Sequence, residues 1–222
     1  MTETSDAGEH ERAPDPVPRT FRSGPSDRVR LSDEPGTWTE IEIDAPPSAV
    51  WRVVTDIDAP AAFSEEFLGA RWVDGGPALG ASFVGSNRHP AIGEWEVPSF
   101  VDVYEEERSF GWATVDPANP GSRWRFDLEP LGAGTRLRFS MSIGPGPSGI
   151  TIAIDAMPDK ESRILDRRVV EHHANMVRTL QGLKALAESG SWRWRSGSRR
   201  PPRCRGWSTT CARPSDWGLP RS

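Results

Sequence analysis

The chain is poor in cysteine and in lysine. Its two cysteines, Cys204 and Cys211, lie seven residues apart with no histidine or further cysteine nearby, which is a poor set of metal ligands. A disulfide between them is not expected inside a cell. The only lysines are Lys160 and Lys184, against 25 arginines. We interpret that bias as the codon usage of a GC-rich genome and attach no function to it.

Long apolar runs and the common catalytic motifs are also missing. No segment reaches the ~18 apolar residues of a membrane-spanning helix, and the acidic first residues lack the apolar centre of a signal peptide. Prolines interrupt the glycines of segment 144–149, so this is not a phosphate loop, and we expect an isoleucine-rich turn after it. There is no Gly-x-Ser-x-Gly elbow, cysteine nucleophile or paired histidine motif. We therefore expect a cytoplasmic protein with no membrane span, no metal and no cofactor.

Composition divides the chain into three parts. A hydrophobic content of 36% and a mean hydropathy of -0.56 are low for a chain that folds from end to end, which indicates disordered ends. Residues 1–36 are rich in proline, serine and charged side chains, so we predict a disordered leader. The folded domain is predicted to cover residues 37–189.

Residues 190–222 form the third part, a basic tail. They contain eight arginines and one aspartate, a net charge of +7, which leaves -12 for the rest of the chain. They also hold four tryptophans and show no helical or strand period. Three interpretations stay open: a disordered extension, an Arg/Trp segment for nucleic acid or anionic membrane, and a frame error that extends a domain ending near Ser189. We favour the frame error and expect no nucleic-acid partner.

One long helical pattern runs from residue 158 to residue 188. Pro158 suits the first turn, where its missing N–H costs nothing, and Ser189 with Gly190 ends the pattern. At ~1.5 Å per residue the helix would be about 45 Å long, enough to cross a small domain. Steps of three and four residues define one apolar or amphipathic stripe, which has to be buried. The stripe consists of Leu165, Val169, His172, Met176, Leu180, Leu183 and Ala187.

The segment before residue 70 is predicted to contain one strand and two short helices. Apolar and polar residues alternate over 37–43, as in a strand. Prolines then start a short helix at 46–54. A second short helix is predicted over 59–68, because Phe63 and Phe67 are four residues apart and would share one face.

From residue 70 to residue 143 the period changes to two, which predicts about six strands. The clearest pair, 123–129 and 136–143, alternates apolar with charged side chains and is joined as a hairpin by Gly132-Ala-Gly134. Pro98 predicts a bulge or an edge position. One face of this antiparallel sheet would be wet, and the long helix would cover the dry face. Because strands twist, the sheet curls and leaves a pocket under the straight helix. The predicted class is α+β.

Four segments carry a resemblance to a known family. They are IEIDAPPSAVW (41–51), DID (56–58), GASFVG (80–85) and WRFDLEP (124–130). Together with the order of elements over 37–188, they resemble the START-related helix-grip superfamily, which includes SRPBCC and polyketide cyclase/dehydrase proteins. The segments NRHPAIGEW (87–95) and MPDKE (157–161) resemble an actinobacterial branch of it.

This resemblance implies a fold and a class of ligand. The fold would be a curved antiparallel sheet of about six to seven strands wrapped on a long C-terminal helix, with two short helices after the first strand. The superfamily spans lipid carriers, hormone receptors, cyclases and oxygenase subunits, so the fold alone does not fix the chemistry. No catalytic motif transfers residue by residue.

His172 is the first candidate for chemistry, because the helical stripe places it towards the sheet. An imidazole in a dry pocket can orient a carbonyl or move a proton, although a core histidine bonded to the backbone or to Tyr104 is the more common case. Asn87 shares strand parity with Phe83, which would point it inward. Glu94 would either pair with Arg88 at the surface or act as an acid in the cavity.

Aromatic and apolar side chains are the candidates for ligand contact, although plain core packing explains many of them. Six of the ten tryptophans lie in residues 37–188, which suits a flat apolar ligand. The candidates are Phe63, Phe67, Trp72, Phe83, Trp95, Trp112, Trp124, Phe126, Phe139, Met141, Leu165, Val169 and Met176.

Three functions are compatible with these features. The favoured one is binding of a small hydrophobic molecule (a lipid, a polyketide or an aromatic compound) between the sheet and the long helix. The second is a polyketide cyclase or dehydrase in the same cavity, with His172 as acid/base and Asn87 or Glu94 orienting carbonyls. The third is a non-catalytic stress or regulatory partner that uses its charged outer sheet face or its tail. The sequence predicts no particular oligomeric state.

Overall fold

A single antiparallel sheet of seven strands dominates the computed structural model, which describes residues 29–73, 75–90 and 92–190. The predicted leader and tail lie largely outside these residues. The strands are β1 (Gly36–Ile43), β2 (Phe67–Trp72), β3 (Ser82–His89), β4 (Gly93–Glu105), β5 (Ser109–Thr114), β6 (Ser122–Leu131) and β7 (Gly134–Ile143). Their order across the sheet is β1-β7-β6-β5-β4-β3-β2. The chain therefore crosses from one edge of the sheet to the other between β1 and β2.

Apolar and polar side chains alternate along β6 and β7, so one face of the sheet is apolar and packs against the core. The register sets Trp124 opposite Met141 and Phe126 opposite Phe139. Since side chains in register point to the same face of an antiparallel pair, these four lie together in the core. On the other face, Arg125 is exposed, and Arg123 and Asp127 are partly exposed. The predicted hairpin and one-sided sheet are confirmed.

Three α-helices lie in the described part of the chain. They are α1 (Pro47–Val54), α2 (Gly149–Ala156) and α3 (Glu161–Glu188). A 3₁₀ turn, Pro158–Lys160, leads directly into α3, which at ~1.5 Å per residue is about 42 Å long. The predicted stripe of α3 is buried along its whole length. The α+β helix-grip fold is thus confirmed. In the described part of the chain, no helix combines the length and the apolar character that a membrane span needs.

Two local predictions about helices differ from the structure. The second short helix is a 3₁₀ turn, Ala59–Ala62, and Phe67 begins β2, because the Ser64 hydroxyl accepts the amides of Glu66 and Phe67 and turns the chain into a strand. The expected isoleucine-rich turn is α2, started by a cap between Ser148 and Thr151.

Strand β4 has an irregularity, but it does not lie at Pro98, where we predicted it. Pro98 pairs regularly with Val84, and the register shift falls between Val101 and Val103. Residues 29–36, which we assigned to the leader, include a 3₁₀ turn at Leu31–Asp33. The Leu31 amide donates a hydrogen bond of 2.8 Å to Glu161 Oε1, which ties this turn to the start of α3.

Phe63, which follows the 3₁₀ turn after α1, meets helix α3 at a glycine. A Cβ atom at Gly182 would lie 2.1 Å from Phe63 Cγ and 2.2 Å from Phe63 Cδ1. The Phe63 ring therefore packs directly on the backbone of α3, and this contact requires glycine at residue 182. It also fixes one end of the segment that carries the chain across the sheet.

We expect Gly182→Ala to destabilise the fold by about 1–3 kcal/mol, because the new methyl group overlaps the Phe63 ring. In an exposed helix the same change would stabilise by about 1 kcal/mol, so the sign of the effect is diagnostic. Urea denaturation measures it. In the double variant Gly182→Ala/Phe63→Ala, which removes the overlapping ring atoms, the loss of stability should be smaller than the sum of the two single losses. An unchanged or higher unfolding free energy in Gly182→Ala would contradict this packing.

Candidate functional site

A cavity of about 140 Å³ lies between the sheet and α3. It forms on the side of the sheet away from β1, the strand against which α3 packs most extensively. The segment after α1 and strands β2 and β3 close its other side. Its wall is formed by Val54, Ile57, Pro60, Ser64, Glu66, Phe67, Phe83, Gly85, Asn87, Val97, Ser99, Phe110, Trp112, Thr114, Trp124, Phe126, Phe139, His172, Asn175, Met176 and Thr179.

The sheet side of the cavity is aromatic. Trp112 and Trp124 stack with ring centroids 6.4 Å apart and planes inclined by 10°. Phe126 and Phe139 stack at 4.1 Å, and Phe110 lies 5.7 Å from Trp112. These rings come from the inward positions of neighbouring strands β5, β6 and β7. They present flat apolar surfaces that suit another aromatic or apolar group.

The helix side of the cavity is more polar. His172, Asn175 and Thr179 are spaced by three and four residues, so they share one face of α3. Asn175 Oδ1 accepts the Glu65 amide at 3.4 Å, which joins this face to the segment after α1. Asn87 on β3 adds a further amide to the wall. The cavity thus combines an aromatic wall with a polar one.

His172 is the most deeply buried imidazole of the site. Its side chain is 8% exposed, and its ring meets Trp124 edge-on at 5.1 Å. Burial, with smaller contributions from Arg168 and His89, holds the pKa of His172 well below its ordinary 6.5. The imidazole is therefore neutral at neutral pH and offers one donor and one acceptor nitrogen.

An ion pair closes the cavity next to His172. Arg168, one turn earlier on α3, donates from Nη1 to Glu66 Oε2 at 2.8 Å and from Nη2 to Glu66 Oε1. The two side chains are only 15% and 13% exposed. Arg168 also lies 3.3 Å from Glu171, whose carboxylate is 3.7 Å from His89 Nε2. This network ties α3 to the start of β2 and to the end of β3.

The structure gives the following positions for the sequence-predicted residues. His172 and Asn87 line the cavity, whereas Glu94 does not: its side chain is 67% exposed and lies 3.9 Å from Arg88. The other candidates that line it are Phe67, Phe83, Trp112, Trp124, Phe126, Phe139 and Met176. Those outside the wall are Phe63, Trp72, Trp95, Met141, Leu165 and Val169.

Several of the candidates outside the wall have identifiable packing roles. Phe63 packs on Gly182, and Trp72 meets Phe83 edge-on at 5.4 Å. Met141, Leu165 and Val169 lie in the hydrophobic core. These side chains hold the walls in place without reaching the hollow. A side chain of this domain can therefore be fully buried without lining the cavity.

Six polar residues of the wall were not predicted from the sequence: Ser64, Glu66, Ser99, Thr114, Asn175 and Thr179. Two of them carried a usable signal, since Asn175 and Thr179 lie three and seven residues after His172 and so share its helical face. The predicted stripe followed the apolar members of that face and passed over them. Ser64 and Glu66 had no such signal, because their position depends on the 3₁₀ turn that replaces the predicted helix.

The outer face of the sheet carries charges that pair with one another. Arg136 lies 3.3 Å from Glu42 and 3.0 Å from Glu129, and Arg138 lies 2.9 Å from Glu40. Within residues 29–73, 75–90 and 92–190, no group of three or more His, Cys, Asp or Glu side chains has the arrangement of a metal site.

Comparison with known proteins identifies the family. The model for "polyketide cyclase / dehydrase and lipid transport" matches residues 37–188. The polyketide cyclase-like protein Cgl2372 from Corynebacterium glutamicum is 30% identical, with a TM-score of 0.52 over 70% of this chain and 92% of that one.

A second solved structure shows likeness in fold alone. The di-domain ARO/CYC protein StfQ, from the steffimycin biosynthetic pathway, superposes with a TM-score of 0.53 at 15% identity, over 70% of this chain and 51% of that one. Among curated protein sequences, none matches the chain significantly. The family match over residues 37–188, together with the 30% identity to Cgl2372, shows that this chain belongs to the polyketide cyclase/dehydrase and lipid transport family.

Proposed function

We propose that the domain predicted over residues 37–189 binds a compact, mostly apolar molecule in the cavity between the sheet and α3. The observation that carries this proposal is the aromatic wall formed by Trp112, Trp124, Phe126 and Phe139. A core that needed only stability would fill such a space, because interiors pack densely and each void loses contacts. The family description, which joins polyketide chemistry with lipid transport, is consistent with a ligand of this kind.

The size of the cavity limits the ligand. One water needs roughly 10–15 Å³ of such space, so about 140 Å³ accommodates on the order of ten waters or a similar number of non-hydrogen atoms. One or two fused aromatic rings match this size. A long lipid chain or a multi-ring polyketide would require α3 or the β2–β3 side to move outward.

The second candidate function is acid/base catalysis in the same cavity, as in a polyketide cyclase or dehydrase. It is favoured by the neutral, buried imidazole of His172 next to the aromatic wall. A neutral imidazole accepts a proton from a substrate and returns it without first losing one to water. Asn87, on β3, is the residue we propose for orienting a substrate carbonyl.

A panel of one-ring and two-ring aromatic compounds should raise the melting temperature of the protein. A ligand at a hundredfold excess over its Kd adds about 2.7 kcal/mol of stability, which for a domain of this size is roughly 5–10 °C. Differential scanning fluorimetry measures the shift. The absence of any shift across this panel and across short-chain lipids would overturn the proposal.

Gly85→Val should reduce that shift by more than half, because the new side chain enters the cavity. A Cβ atom there meets Phe67 Cε2 at 3.4 Å and Val97 Cγ1 at 3.8 Å, so the strand can accept it. Ser86→Val is the matched control, since Ser86 lies next to it on β3 and its hydroxyl is 3.4 Å from Glu96 on the other face. An equal effect of both substitutions would contradict a ligand in this cavity.

Stability should fall as the pH drops below about 6.5, and His172 should account for a measurable part of the fall. The unfolded imidazole takes up a proton near pH 6.5, whereas burial lowers the pKa of the folded one. The unfolding free energy therefore has its full value with respect to His172 above pH 6.5, and part of it is lost as the pH falls towards the pKa of the folded state. Urea denaturation at pH 7.5 and 5.0 tests this.

The comparison for this experiment is between the wild type, His172→Gln and His173→Gln. The pKa of His173 is also lowered by burial, but its ring is less enclosed. His172→Gln should show a smaller loss between the two pH values than the wild type, and His173→Gln should keep most of the wild-type loss. Equal losses in the wild type and His172→Gln would show that His172 is not a buried neutral imidazole.

A further inference from the structure

The polar wall of the cavity has hydrogen-bonding capacity that the fold does not use. His172 is 8% exposed and Thr179 is 4% exposed, and both side chains line the cavity. Among the residues that the structure describes, none forms a hydrogen bond with either side chain. Buried polar groups in folded proteins nearly always have partners, so two of them on the cavity-facing side of α3, seven residues apart, indicate a polar group on the ligand.

Two further side chains show which kind of polar group is required. Asn175 Oδ1 accepts from the Glu65 amide and from Arg178 Nη2, at 3.4 and 2.7 Å, which leaves the amide N–H₂ to donate. The Ser64 oxygen accepts two backbone amides, which leaves its O–H to donate. Asn175 and Ser64 thus have only donors to offer, and the Thr179 hydroxyl can act as a third donor. The group that complements all three is an acceptor oxygen.

The ion pair between Glu66 and Arg168, at the same end of the cavity, indicates which ligand charge the site can accept. Glu66 is the only charged side chain of the described wall, and Arg168 engages both of its carboxylate oxygens. A ligand carboxylate would therefore lie beside a carboxylate with no free cation to pair with. Burying an unpaired charge is costly, so the site disfavours anionic ligands.

We infer that Asn175 and Thr179 are specificity-determining residues that select an uncharged aromatic ligand with a carbonyl oxygen. The ring would lie against Trp112 and Trp124, and the carbonyl oxygen would accept from the two α3 side chains. This inference rests on the proposed function, and it adds a preference for an aryl ketone over a hydrocarbon of the same shape and over an aryl carboxylate.

Three naphthalene probes of nearly equal size test the preference. They are 2-acetonaphthone, 2-isopropenylnaphthalene, in which C=CH₂ replaces C=O, and 2-naphthoate. Isothermal titration of the full chain gives their Kd values. We expect the ketone to bind about fivefold to tenfold more tightly than the hydrocarbon, the range of one net hydrogen bond, and at least about tenfold more tightly than the carboxylate.

Thr179→Val should remove most of the preference for the ketone, because it keeps the shape of the side chain and removes the hydroxyl. Hydrocarbon binding should stay within about twofold of the wild type. The matched control is Thr114→Val in the same cavity wall. The Thr114 hydroxyl already contacts Ser122 Oγ at 3.0 Å and accepts the Ser122 amide at 2.9 Å, so this variant should keep the preference.

The outcomes distinguish this inference from the proposed function. Equal binding of ketone and hydrocarbon to the wild type would overturn the inference and leave the proposed function standing. Equal loss of preference in Thr179→Val and Thr114→Val would also overturn it. Failure of all three probes to bind would overturn both. The ranking of the probes on the wild-type protein does not depend on how well either variant folds.

Discussion

The structure depends on the mismatch between a straight helix and a twisted sheet. Helix α3 is about 42 Å long and packs on β1 and α1, but a sheet of seven strands turns away from any straight rod along its width. The space that opens is only partly filled by the aromatic side chains of β5, β6 and β7. The contact between Phe63 and Gly182 brings the crossing segment close to α3 and so encloses the hollow.

Polarity is distributed along α3 in a way that matches this geometry. Near the C-terminal end of the helix, Leu180 and Leu183 are almost completely buried and contribute to the core. In the middle, His172, Asn175 and Thr179 face the cavity, and Arg168 closes its end against Glu66. One helix therefore both stabilises the domain and supplies three of the polar side chains that line the cavity.

The low polarity around His172 links the fold to its chemistry. The aromatic wall that excludes water also disfavours the charged imidazolium, and Arg168 adds to this effect. A neutral histidine beside unused hydrogen-bond donors suits recognition of an uncharged polar group, whether or not a reaction follows. The family description names both transport and cyclase proteins, so the fold by itself is compatible with a carrier and with an enzyme.

Local periodicity in the amino-acid sequence was sufficient to predict most of the architecture. The 3.6-residue stripe of α3, the alternation along β6 and β7 and the resemblance over 37–188 together predicted the sheet, the helix and the cavity between them. Local spacing was misleading at Phe63 and Phe67, where a four-residue interval suggested a helix and the Ser64 hydroxyl instead turned the chain into β2.

The set of side chains that reach the cavity could be found only from the folded structure. Leu165 and Val169 share the buried stripe with His172 but lie in the core, while Glu94 is exposed at the surface. The period of its own helix or strand decides whether a side chain faces the interior. Whether that side chain lines the cavity depends on where the sheet and α3 move apart. That separation follows from sheet order and twist, because both arise from pairings between residues far apart in the chain.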